Sequence, residues 1–130
     1  MRYVVMISLC VAALVHLLPL IGVLGGERLQ SLYGVAIEGP DLQILMRHRA
    51  VLFGLLGTYL LAAAFIPVLQ PTALGAGLVS VLSFLALAWT TEGYNASIAR
   101  VVAVDVVALV ALLIGTAAYF VIRSRGWPSP

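Results

Sequence analysis

Four long runs of this chain carry almost no charge, and that feature decides the solvent in which it folds. They cover about residues 3–24, 41–66, 72–90 and 97–122, each near the ~20 apolar residues that cross a ~30 Å hydrocarbon core as a helix. Gly25-Gly26, Gly39-Pro40, the segment from Pro67 to Pro71, and Glu92-Gly93-Tyr94-Asn95 separate them, all of them turn or breaker signals. Of the 130 residues 63% are hydrophobic and 9% charged, whereas a soluble domain carries about 25% charged residues to cover its surface. The expected fold is therefore all-α: a polytopic membrane protein with a single four-helix transmembrane bundle over residues 1–130.

The first run also has the outline of a signal peptide, with Met1-Arg2-Tyr3 ahead of an apolar stretch from Val4 to Leu18. The region around Gly25-Gly26 lacks a small-x-small cleavage site, and the run is long enough to span, so it reads as the first transmembrane helix. The second run is 26 residues, roughly 39 Å as a helix, so its first turns stand in the interface or the helix tilts. Asp41 is placed to cap that helix or to meet its dipole. The single Cys10 excludes an internal disulfide and a cysteine-clustered metal site, and no other metal site is expected. The basic balance consists of seven arginines against five acids spread over several links, which is no footprint for nucleic acid.

The arginines orient the bundle. The terminal segments carry Arg2, Arg123 and Arg125 without an acid, while Glu27, Arg28, Glu38, Asp41, Arg47, Arg49, Glu92, Arg100 and Asp105 belong to the opposite side. Positive-inside bias places both termini in the cytoplasm. Tyr3 and Trp127 suit the inner interface, Tyr33 and Tyr94 the outer one.

Ionisable residues inside a membrane are expensive, so they pair or face a cavity. His16 lies roughly 13 Å in from the outer end of the first helix, Arg47, His48 and Arg49 roughly 9–12 Å along the second, and Asp105 roughly 12 Å into the fourth. These residues fall at one depth although they come from separate stretches. Together with Arg100 and the turn residues Glu92, Tyr94 and Asn95, they form the candidate ligand site: His16, Arg47, His48, Arg49, Glu92, Tyr94, Asn95, Arg100 and Asp105. Asp105 is expected to bond to an arginine of the second helix. Each residue also has a plainer reading. His16 then bonds within the core, Asp105 only locks two helices, and the basic triplet only anchors headgroups. Ala50, Gly54 and Gly57 share a face of the second helix and allow close packing, with Gly75, Val79 and Leu82 in a lesser part on the third.

The segments His16-Leu17-Leu18-Pro19, Leu32-Tyr33-Gly34, Arg47-His48-Arg49-Ala50-Val51-Leu52-Phe53-Gly54-Leu55-Leu56-Gly57, Gly93-Tyr94-Asn95 and Arg100-Val101-Val102-Ala103-Val104-Asp105 resemble a group of small bacterial inner-membrane proteins. The group is similar in layout to DoxX-like four-helix proteins. The resemblance implies a bacterial inner-membrane location and brings no reaction with it. Some members of the group carry the name phosphopantetheine adenylyltransferase. Such enzymes are soluble α/β proteins with a Gly-His nucleotide motif, which this sequence lacks.

Four functional readings follow. The leading one is binding of a lipid, quinone or other small amphipathic ligand, alone or as an accessory subunit, in a homo-oligomer or a larger membrane complex. The second is a membrane-embedded isomerase or oxidoreductase acting on an isoprenoid or quinone-like substrate, with His48, Glu92 and Asp105 as proton-transfer groups. A small transporter is third, although the first helix has no carboxylate. The fourth is a haem protein liganded by His16 and His48. The orientation is open to direct test: alkaline phosphatase fused after residue 130 is expected to be inactive in cells, and an active fusion would invert the whole assignment of sides.

Overall fold

A computed structural model describes residues 1–20, 25–36 and 38–126. Among these residues five α-helices follow one another: α1 Arg2–Leu17, α2 Gly26–Tyr33, α3 Pro40–Phe65, α4 Gln70–Thr90 and α5 Ala96–Ser124. Four helical segments, Arg2–Leu20, Pro40–Phe65, Pro67–Thr90 and Ala96–Ser124, are long and apolar enough to cross a membrane. The protein is thus an all-α four-helix bundle of membrane-spanning character. Around the bundle α1 packs on α3 and α5, and α4 packs on the same two, so α1 and α4 face each other across the diagonal.

The helix boundaries have local causes. Pro19 has no N–H for the carbonyl four residues back, and its ring crowds that carbonyl. Accordingly α1 stops at Leu17 and a 3-10 turn covers 18–20. The expected continuation of this helix over 21–24 lies outside the described residues, as does the tail from 127. Pro67 disfavours helical geometry in the residue before it; Ile66 is extended at φ −119°, and a short 3-10 turn, Pro67–Leu69, leads into α4. Asp41 lies in the first turn of α3, where a carboxylate complements the dipole, but its side chain makes no capping bond.

The link between the first two spans differs most from the sequence expectation, because it contains a helix of its own. α2 has Glu27 in its first turn and ends at Gly34, which closes it in the left-handed region at φ 63°. Tyr33, expected at the outer interface, is instead buried, with Leu32, Met46, Ile98 and Val101 packed about it.

Inside the bundle the residues are mostly small. Ala12 and Ala13 of α1, Ala63 and Ala64 of α3, Ala73 of α4, and Ala108 and Ala118 of α5 are buried, with Leu9, Leu60 and Leu112 filling the centre. Large apolar side chains such as Leu45, Leu55, Val79, Leu87 and Trp89 face outward. A soluble bundle would expose polar groups there; a surface of leucine and valine matches lipid tails. The hydroxyls of Thr58 and Thr116 donate to the carbonyls of Gly54 and Leu112, each at 2.7 Å, so they need no water within the span.

The glycine face of α3 is packed as expected, with Ala50, Gly54 and Gly57 all buried. Gly57 faces a neighbouring backbone: a methyl group there would lie 2.7 Å from Leu17 Cγ and 3.2 Å from the Ala13 carbonyl oxygen. On α4 the packed glycine is Gly77, wedged between Leu60 and Leu112, whereas Gly75 faces open space and Val79 and Leu82 point outward. Gly57→Val is therefore expected to destabilise the bundle by about 1–3 kcal/mol through overpacking. Gly75→Ala should leave stability unchanged or slightly higher, since it adds helix propensity where nothing is touched. Thermal unfolding in detergent checks both, and equal melting of Gly57→Val and wild type would contradict the packing described.

Candidate functional site

Where α2 folds over the bundle, a cavity of about 250 Å³ opens between all five helices. The chain of contacts that shapes it begins at Asn95. Its Oδ1 accepts from the Ile98 backbone N–H at 2.9 Å and so caps α5, while its Nδ2 donates to the carbonyls of Tyr33 at 2.9 Å and Gly34 at 3.1 Å. One amide thus fixes the end of α2 against the start of α5. Gly34 is confined twice, by its left-handed φ and by Asn95 and Ser97, which would each lie 3.0 Å from a methyl group added there.

Tyr33, held in this way, orients Arg49. The Arg49 guanidinium donates from Nη1 to the Tyr33 hydroxyl at 2.8 Å. Its carbon lies 5.2 Å from the centroid of the Tyr33 ring and 4.7 Å from that of Phe53, one turn further along α3. Both distances suit cation–π attraction, worth up to about 2 kcal/mol or more when desolvated. A guanidinium has five N–H donors and this bond uses one of them.

Asp105 lines the same cavity from α5, with Arg49 within electrostatic reach. The expected direct bond between them is absent: among the described residues Asp105 has no hydrogen bond, because Arg49 is turned toward Tyr33. No buried polar side-chain atom of the described residues lacks a partner, so the carboxyl oxygens of Asp105 are not sealed but open on the cavity. Arg100 also lines it, donating to Ser97 Oγ at 3.2 Å.

His16 reaches the cavity wall but is engaged on both sides. Its Nδ1 lies 2.8 Å from the Ala12 carbonyl oxygen, which can only accept, so Nδ1 carries a proton. In the neutral ring Nε2 then accepts from the Ser80 hydroxyl, 3.0 Å away on α4. The ring also lies 5.8 Å from that of Phe53. With both nitrogens bonded, His16 fits the plainer reading of a core histidine and leaves no lone pair for an iron. His48 is exposed and does not line the cavity, so the two histidines do not form a haem site. Among the described residues no three of histidine, cysteine, aspartate or glutamate lie close enough to hold a metal ion.

The cavity therefore gathers His16, Arg49, Arg100 and Asp105 from the expected set. Arg47, His48, Glu92 and Tyr94 are exposed and stand outside it, and Asn95 acts as a tie rather than as lining. His48 and Glu92 are thus not assembled with Asp105 for proton transfer. Tyr33, Phe53, Phe84 and Ser97 also line it, none of them among the residues expected for the site. A cation clamped between aromatic faces, with spare donors and an apolar wall, can hold an anionic or carbonyl group on an apolar body.

Asn95→Ala removes one cap and two bonds between elements. It is expected to cost about 1–2 kcal/mol, whereas Tyr94→Ala at the exposed neighbouring position should cost far less. Detergent melting of the two variants side by side checks this, and equal melting would deny Asn95 its tying role. No protein-family model, curated protein or solved structure matches the chain.

Proposed function

We propose that this protein binds a small amphipathic molecule, such as a lipid headgroup or a quinone-like ring, in the cavity beneath α2. Arg49 is the anchor, taking an anionic or carbonyl oxygen with the donors that Tyr33 leaves unused. Phe53, Phe84, Val101 and Val104 supply the apolar wall. One observation carries the reading: among the described residues the Arg49 charge is supported by a pair of aromatic faces, one hydroxyl and a carboxyl group that does not touch it. A space of about 250 Å³ lies just below the ~300–1,000 Å³ of drug-sized pockets. It suits a head or a ring, with any acyl or isoprenoid tail lying outside among lipid chains.

In this proposal the protein resides in a bacterial inner membrane with both termini in the cytoplasm, in keeping with its DoxX-like layout. The cavity then opens in the outer half of the bilayer, where a ligand enters sideways from the leaflet. The role is binding or accessory, within a homo-oligomer or a larger complex, and the membrane lipids are its first partners.

Native mass spectrometry of protein extracted in mild detergent tests the reading. Wild type is expected to retain a small amphipathic mass. Arg49→Leu should lose it, or bind it at least tenfold more weakly, while keeping its helical content. An empty wild type, or equal retention by the variant, would falsify the proposal.

A further inference from the structure

A second cleft lies at the opposite end of the bundle, where the chain termini and the α3–α4 hairpin meet. It encloses about 780 Å³, and its lining comes from the first or last two turns of all four spanning segments. Such turns stand at headgroup level whichever way the protein is oriented. Arg2 of α1 and Arg123 of α5 both line it, and among the described residues no acidic side chain does. The five acids of the chain, Glu27, Glu38, Asp41, Glu92 and Asp105, all belong to the α2 end or to the outer half of α5. Two permanent charges of one sign thus share a cleft in which no acidic side chain of the described residues balances them.

We infer that this cleft binds an anionic phospholipid, with the phosphate between Arg2 and Arg123 and the glycerol backbone and upper acyl chain against Met6, Ala64, Phe65 and Ile122. The chemistry of a guanidinium pair selects a phosphate. The size and the apolar wall select a lipid over free phosphate, since a water molecule takes about 30 Å³ and a lone phosphate would leave most of the cleft empty. Tyr119 adds support: its hydroxyl lies 3.5 Å from Arg123 Nη1, one turn back on α5, and keeps that guanidinium beside the cleft. Phe65 and Val68 are exposed beside it and continue the apolar wall outward to where acyl chains lie. Basic pockets between helices at the membrane surface hold acidic headgroups by this combination of charge and apolar floor. The inference is independent of the cavity beneath α2, from which the cleft is separated by the length of the bundle.

The test is thermal unfolding of the full chain in an uncharged detergent with added phosphatidylglycerol, phosphatidylcholine or inorganic phosphate. Phosphatidylglycerol is expected to raise the melting temperature by several degrees, and the other two by much less. Arg2→Gln/Arg123→Gln should abolish the shift, whereas Arg49→Gln, at the far cavity, should retain it. Equal shifts from phosphatidylcholine or inorganic phosphate, or an undiminished shift in the double variant, would overturn the inference. So would loss of the shift in Arg49→Gln, which would place the lipid at the other end. Native mass spectrometry of the wild type gives a second measure that does not depend on any variant folding. One phosphatidylglycerol should be retained per chain in preference to phosphatidylcholine, and equal retention of the two would also refute it.

Discussion

Lipid tails are as apolar as leucine, so burying leucine between helices gains little inside a membrane, and helices there must attract each other by close contact. The approach of α1 to α3 at Gly57, and of α1 to α5 where Gly115 meets Ser8, brings backbones near enough for dispersion to act over many atoms. The rest of the architecture depends on this contact. With α1 drawn against both neighbours, α4 completes the ring on the far side and the alanine-rich centre closes. The large side chains left over turn outward, where the bilayer receives them.

Local signals in the sequence were sufficient for the helices and insufficient for their rotation. Charge-free length marked four spans, and Gly39-Pro40, the segment from Pro67 to Pro71 and the turn from Glu92 to Asn95 set ends that agree with the structure to within a few residues, whereas Pro19, which stops α1 at Leu17, was read through. Helix α2 was missed because its polar eight residues have no apolar run to announce it. Its packing rests on Tyr33 and Leu32, held in place by an amide 62 residues later in the chain. A tie of that range has no local signature, although a Tyr-Gly pair after a short polar stretch is the form a left-handed helix end takes.

The site was legible in depth and not in direction. Rise per residue places Arg47, His48 and Arg49 within one turn of His16 and Asp105, but successive residues point about 100° apart, so only one of the three can face a given neighbour. The choice of Arg49 follows from Phe53 four residues on and Tyr33 above it, two aromatic faces that no spacing rule connects to a single cation. The Asp105 carboxyl was expected to need a direct ionic partner. The structure instead leaves it at the edge of a cavity, with Arg49 within electrostatic reach.

The bond between His16 and Ser80 crosses the diagonal of the bundle from α1 to α4, immediately above the sealed layer of Leu9, Ala12, Leu60 and Leu112. Together they form a partition. The cavity and the cleft share no lining residue among those described, and the packed layer lies between them. Occupation of the two recesses is thereby separate: a ligand in one touches none of the described residues that a ligand in the other would touch.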